Sequence, residues 1–345
     1  MKMAPTCRWM WATISMLVGF CVGNCFSQGA PRATQISIVK DKWYLNGKIT
    51  YPGAKAEGLL MNVRMVNSVF EDAKRKDFDA EVNTEKFVAQ IPDYAAYGVR
   101  AFTICLQGGM PGYEGAVNSA FNPDGSLRDT YLKRVRRVIE ACDQQGLAVI
   151  LGCYYQRQDQ ILKDVDAVRA GVVNVVQWIK ANGFTNVLLE IANEFDHSGF
   201  DHVVIRTPDG MAELIQLAKK TAPDFLVSAS GSGHGRAPDS VAHASDFILI
   251  HFNGTKLDDI PARIAALKKY GKPIVCNEDQ KVGEAAAKAA ELSVANGASW
   301  GLMAREVNQY FTPGANELKF NGHNDDPVVY AMLKKLTAPP AKAPR

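Results

Sequence analysis

Beyond residue 35 the chain alternates short, nearly continuous apolar runs with longer stretches whose apolar residues recur every three or four positions. The short runs are Gly58–Arg64, Val99–Cys105, Leu147–Cys153, Asn186–Ala192, Phe225–Ser230, Phe247–Phe252, Pro273–Asn277 and Ala298–Met303. A short run that is apolar on both faces suits a strand covered on both sides. Helical periodicity lies between most of them, at Thr84–Ala96, Leu127–Gln145, Leu162–Asn182, Met211–Thr221, Ile260–Tyr270 and Gly283–Asn296, with a last helix at Asp326–Leu336. Gly98, Gly146, Gly183, Gly271 and Gly297 each follow a helical stretch, as expected where a helix ends and the chain turns into a strand. Ahead of the first run, Ile36–Lys48 alternates and carries Asn46-Gly47, a two-residue turn signal that predicts a β-hairpin. Repeated strand-then-helix units predict a parallel sheet under helices, and eight of them predict closure. The expected fold class is therefore α/β, a (β/α)8 TIM barrel with an N-terminal β-hairpin. A doubly wound open sheet is the structural alternative, but no G-x-G-x-x-G follows the first strand to support nucleotide binding.

Composition adds little to this picture: in 345 residues, 47% are hydrophobic and 22% charged, which is ordinary for a globular protein. The first segment is different. Lys2 and Arg8 precede an apolar run from Trp9 to Val22 that gives way to Gly23, Asn24, Ser27, Gln28 and Gly29, the layout of a secretory signal peptide cleaved near Gln28–Ala30. The expected organisation is a signal peptide over 1–29, an N-terminal extension with the hairpin over 30–57, the barrel over 58–336 and a flexible tail over 337–345. The expected destination is secreted or periplasmic. Losing residues 1–29 removes two positive charges and no negative ones, so the formal charge falls from +3 to +1. No basic stripe remains to attract phosphates, which excludes nucleic acid as an expected partner. No stable membrane partner is expected after cleavage, and the protein is expected to be a monomer. The remaining Cys105, Cys142, Cys153 and Cys276 lack metal-site spacing and read as buried thiols.

In such a barrel the active site gathers at the C-terminal ends of the strands, so polar residues that close apolar runs are the ones to weigh. The fourth run ends Leu188-Leu189-Glu190-Ile191-Ala192-Asn193-Glu194-Phe195, and the seventh ends Pro273-Ile274-Val275-Cys276-Asn277-Glu278-Asp279. Two carboxyls at the mouths of strands four and seven face each other across the axis, the arrangement glycoside hydrolysis requires on either side of the scissile bond. A separation of about 5 to 5.5 Å lets one attack the anomeric carbon while the other protonates the leaving oxygen. Burial and a neighbouring negative charge are expected to raise the pKa of the acid member. Glu190, of the same parity along the strand as Glu194 and deeper, reads as a structural carboxyl.

With strand four ending in Asn-Glu, strand seven ending in Glu and strand eight carrying Trp, the chain resembles clan A glycoside hydrolases, nearest to the family 5 cellulase and mannanase group, from roughly Trp43 to Leu336. The resemblance implies Glu194 as acid/base, Glu278 as nucleophile, Asn193 as a hydrogen-bond donor to the sugar 2-hydroxyl, Trp300 as a floor for the sugar face and His251 as a substrate-site histidine. The chain departs from the pattern in three places. Phe195 stands where the family has proline after the acid/base. Phe252 and Asn253 follow His251 where a tyrosine is common, leaving Tyr154 or Tyr155 to substitute. Thr103 falls where strand two offers an arginine, leaving Arg64, at the end of strand one, as the guanidinium that orients the nucleophile. The expected protein is a retaining glycoside hydrolase acting on a β-linked poly- or oligosaccharide, with no cofactor and no metal. The departures keep open a catalytically inactive barrel that binds carbohydrate. A metal-dependent hydrolase has less support, because His197 and His202 are five apart with no carboxylate pattern. Ser232 lies in no G-x-S-x-G context, and the sequon Asn253-Gly254-Thr255 sits at the expected barrel mouth.

Overall fold

The computed structural model describes Met1 and residues 34–71, 77–108, 117–309 and 318–340. The expected signal peptide and most of the expected tail lie outside these residues. The described chain opens with three short antiparallel strands, β1 (Ile36–Val39), β2 (Lys42–Leu45) and β3 (Lys48–Ile49). Asn46-Gly47 turns the chain between β2 and β3, both residues having positive φ (51° and 71°) as a primed hairpin turn requires. A second turn at Lys40-Asp41 was not expected. Lys40 adopts φ 60° there, so one hairpin becomes a three-stranded meander.

Eight parallel strands follow: β4 (Asn62–Arg64), β5 (Ala101–Cys105), β6 (Ala148–Tyr154), β7 (Val187–Ala192), β8 (Val227–Ser228), β9 (Ile248–His251), β10 (Ile274–Glu278) and β11 (Gly301–Leu302). They form a continuous ladder β11-β4-β5-β6-β7-β8 and a pair β10-β9. Single parallel bridges, Ser230 to Leu249 on one side and Val275 to Ser299 with Asp279 to Leu302 on the other, carry the circuit between the two sheets. The architecture is the expected (β/α)8 barrel. Its helices are α1 (Ala80–Ala96), α2 (Asp129–Gln144), α3 (Val165–Ala181), α4 (Val203–Arg206), α5 (Pro208–Thr221), α6 (Asp239–Ala244), α7 (Ile260–Leu267), α8 (Gly283–Ala295) and α9 (Pro327–Thr337).

Local chemistry sets these helix boundaries. Asp79 accepts hydrogen bonds from the Glu81 and Val82 amides, which starts α1 four residues before its apolar periodicity becomes visible. Thr207 with Pro208, and Asp326 with Pro327, combine a capping side chain with a proline at the first helical position of α5 and α9. All five glycines expected to close helices adopt positive φ. The six-residue α6 was not expected, because so short a segment shows no apolar period.

The core has two layers. Outward-facing residues of the strands, such as Met61, Val63, Phe102, Ile104, Val149, Leu151 and Leu189, pack under the helices. Inward-facing Leu60, Ala101, Ala148, Ile150, Leu188, Leu249 and Val275 fill the lower barrel, where Trp43 of β2 closes the floor edge-on to Phe247 at 5.4 Å between ring centroids. Above this apolar layer the interior turns polar, with Asn62, Thr103, Glu190 and Asn277 all fully buried. Gly152 of β6 leaves the room that Glu190 occupies. A methyl group there would lie 2.6 Å from Cys105 Sγ and 3.7 Å from Glu190 Oε2. Gly152→Ala is therefore expected to destabilise the fold by about 1–3 kcal/mol through overpacking, measured by urea unfolding.

Candidate active site

Glu278 owes its direction to a β-bulge. Cys276 pairs with Ile250 and Glu278 pairs with His251, so two steps on β10 match one on β9. Simple alternation, with Cys276 in the outer core and Asn277 turned inward to Thr103 and Glu190, would send Glu278 outward. The extra residue re-aims it into the barrel mouth. There Glu278 Oε2 lies 2.7 Å from Arg64 Nε, and Oε1 accepts a hydrogen bond from Asn253 Nδ2. Arg64, fully buried at the end of β4, also donates through Nη2 to Asn193 Oδ1 at 2.5 Å. Asn193 in turn donates to Gln156 Oε1 at 3.1 Å.

Glu194 follows β7 in a left-handed backbone conformation, φ 45°, which is uncommon for a residue other than glycine. Its Oε1 lies 3.0 Å from His251 Nδ1, which is also 3.6 Å from Glu278 Oε2. One side-chain atom each from Glu194, His251 and Glu278 lie within 4.8 Å of one another. Glu194, Glu278, Asn193, Arg64 and His251, expected to share one site, are thus brought together at the C-terminal ends of the strands.

The electrostatics correct one expectation. Burial alone would push the Glu194 carboxyl up, but the hydrogen bond and charge of His251, with Arg64 and His197 nearby, outweigh it and hold the carboxyl below its ordinary range. Burial opposes charge on His251, yet the carboxylates of Glu278 and Glu194 raise its pKa above the usual value. Burial also opposes charge on Arg64, and Glu278 more than restores it, so the guanidinium stays charged. Glu190 is raised, chiefly by burial, with Arg64 and His251 opposing.

Two expected positions are corrected. Trp300 is fully buried in the outer core and donates through Nε1 to Asp279 Oδ2 at 3.0 Å. The alternation of β11 turns Gly301 inward, toward Asn62, and Trp300 outward, so Trp300 cannot serve as a floor for a sugar. Tyr154 is also fully buried, its hydroxyl donating to the Val168 carbonyl of α3 at 2.5 Å, away from the mouth. Tyr155 is the tyrosine that approaches the site, its ring centroid 5.9 Å from Arg64 Cζ.

Asn253 was noticed in the sequence only as a departure and as a sequon. Its two side-chain atoms are engaged, Nδ2 with Glu278 and Oδ1 with the Gln280 amide at 3.0 Å, so a glycan on this nitrogen would break the Glu278 contact. Gln156, two residues beyond β6, reaches the site through Asn193, and in the sequence it has the look of an ordinary loop residue. His202 pairs with Asp159 at 2.8 Å, while His197 Nδ1 accepts from the Gly199 amide, so the two do different work. Cys105, Cys142, Cys153 and Cys276 are free and buried, as the sequence suggested. Glu194, His251 and Glu278 are the group among the described residues whose spacing could hold a metal ion, although Arg64 already neutralises Glu278 at 2.7 Å.

No family profile matches the chain, and no curated protein matches it in sequence. Solved structures do share its fold. An endo-1,4-β-mannanase from Rhizomucor miehei superposes with a TM-score of 0.56 at 12% identity, over 88% of this chain and 97% of that one. A GH5-4 broad specificity endoglucanase from Clostridium longisporum gives 0.58 at 10% identity, over 84% and 98%. A β-1,4-D-mannanase from Cryptopygus antarcticus gives 0.58 at 11% identity, over 87% and 94%. The chain shares the (β/α)8 fold of these mannanases and this endoglucanase.

Arg64 is the cation on which the cluster closes. Arg64→Met would leave the buried Glu278 without its charge partner and free the Asn193 carbonyl, an expected loss of about 3–5 kcal/mol in urea unfolding.

Proposed function

We propose that the protein is a retaining β-glycoside hydrolase acting on a β-linked polysaccharide or oligosaccharide. The observation that carries this reading is the convergence of Glu194 and Glu278, from β7 and β10, within 4.8 Å at the mouth of the barrel. An approach that close suits a direct attack on the anomeric carbon, the retaining arrangement setting its two carboxyl groups about 5–5.5 Å apart. The mannanases and the endoglucanase that share the fold support β-linked polysaccharide as the substrate class.

Glu278 is the nucleophile in this proposal, because Arg64 and Asn253 fix both of its oxygens and orient one carboxylate face toward a bound sugar. Glu194 is the acid/base: it is the more exposed of the two and shares His251, from which a proton can reach its carboxyl. In the first step Glu278 bonds to the anomeric carbon as the glycosidic bond breaks and Glu194 protonates the departing oxygen. In the second, water attacks the same carbon, Glu194 takes its proton, and Glu278 leaves as carboxylate. Asn193, held between Arg64 and Gln156, presents its amide near the sugar 2-hydroxyl. The inactive reading has little support, since Arg64 and Asn253 occupy the roles that the departures at Thr103 and Phe252 had put in question.

Glu278→Gln is expected to lower turnover of an activated aryl glycoside by at least about a thousandfold. A fluorosugar that traps the covalent intermediate is expected to label Glu278 by mass spectrometry, and labelling of Glu194 would reverse the two roles. The Glu194–His251–Glu278 group motivates a metal-dependent reading as the rival. A chelator is expected to leave the rate unchanged, and loss of activity restored by a divalent ion would favour the rival. We also propose export: the mature protein recovered outside the cytoplasm is expected to begin near Ala30, as N-terminal sequencing would read.

A further inference from the structure

Glu194 has an unfavourable backbone for its residue type, and Ser230 makes three contacts with the turn that contains it. Ser230 lies just beyond β8 and is fully buried. Its amide donates to the Ala192 carbonyl at 3.3 Å, its hydroxyl oxygen accepts from the Glu194 amide at 3.1 Å, and its carbonyl accepts from the Phe195 amide at 2.9 Å. All three polar groups of Ser230 therefore grip the four residues in which β7 ends and turns. A serine hydroxyl has one proton to give, and here it goes to Glu190 Oε1 at 2.5 Å. That fixes the hydroxyl's rotation and leaves its lone pairs toward Glu194. Glu190 is itself held, since its other oxygen accepts from Asn277 Nδ2 at 3.2 Å. The same Ser230 bridges to Leu249, two residues before His251, so the grip also ties the Glu194 turn to the strand that presents its histidine.

We infer that Ser230, braced by the buried carboxylate of Glu190, is a positioning residue that fixes the left-handed turn at Glu194 and so aims its carboxyl at the leaving-group oxygen. This rests on the reading of Glu194 as acid/base. Two observations on the page motivate it. A positive φ at a glutamate persists only where its surroundings over-determine it. Glu190, which its depth had marked as a structural carboxyl, has one oxygen committed to Ser230, which contacts the Glu194 turn, and the other to Asn277, which precedes Glu278 on β10. The chemical consequence is selective. A displaced acid should matter for a leaving group that needs protonation and hardly at all for one that departs unaided.

Ser230→Ala tests this with two readouts. For glycosides with poor leaving groups kcat/KM, which reports the glycosylation step alone, is expected to fall about tenfold to a hundredfold, within the span general acid catalysis supplies, while kcat/KM for a dinitrophenyl glycoside changes by less than about threefold. Ser230→Thr, which keeps the hydroxyl, is expected to recover the poor substrates. Equal losses on both leaving groups, with Thr as poor as Ala, would overturn the positioning role. Independently of any substrate, hydrogen exchange at the Glu194 amide is expected to accelerate in Ser230→Ala, and unchanged exchange would overturn the clip itself. If the wild-type protein cleaves no glycoside, the acid/base reading fails, and with it the role inferred for Ser230, even where exchange still shows the clip.

Discussion

Carboxylates can gather at the mouth of an apolar barrel only because Arg64 and His251 are buried with them. Glu190, Glu194 and Glu278 all lie within the influence of these two cations, and each would face a steep desolvation cost without them. Arg64 serves twice. Its Nε meets Glu278 and its Nη2 meets Asn193, so one planar group sets the spacing between the end of β4, the β10 bulge and the turn after β7. A lysine could neutralise the same charge but not span the same geometry.

The rest of the upper barrel bends to this cluster. β8 and β11 are two residues long, shorter than their apolar runs, and beyond them the barrel is carried on by single bridges rather than a continuous ladder. Ser230 turns to the chain after β7, and Asp279, past the bulge, pairs with Trp300 and Lys281. Regularity is lost where chemistry is placed, while the lower layer, closed by Trp43 against Phe247, stays conventional. The irregular rim is thus carried by a rigid floor.

This division explains what the sequence disclosed. Strands covered on both faces and helices with a clear apolar stripe leave a periodic trace, so the eight units and their order were legible. Asn193, Glu194 and Glu278 were legible for a related reason: each closes an apolar run where the barrel opens. Orientation at those ends was not. Trp300 and Tyr154 occupy plausible rim positions in sequence, yet both turn into the outer core, and nothing in local composition distinguishes them from Gly301 or Tyr155. Glu278 turns inward only through a bulge that alternation would not have allowed. Arg64 could be nominated because it closes the first apolar run where a guanidinium was wanted, whereas Asn253 and Ser230 resemble ordinary loop residues until their partners are seen.

The ionisation of Glu194 was misjudged for a reason of the same kind. Depth in the fold argues for a raised pKa, and burial does act in that direction, but the histidine 57 residues away in sequence reverses the outcome. The lowered carboxyl and the raised imidazole are one interaction seen from its two ends. The two groups share a proton, so under the proposed acid/base role of Glu194 the proton it delivers is better assigned to the pair than to either member. It follows that the alkaline limb of a pH–rate profile would report the pair, and that a carboxyl with a depressed pKa is compatible with work as an acid so long as the imidazole beside it keeps the proton within 3.0 Å.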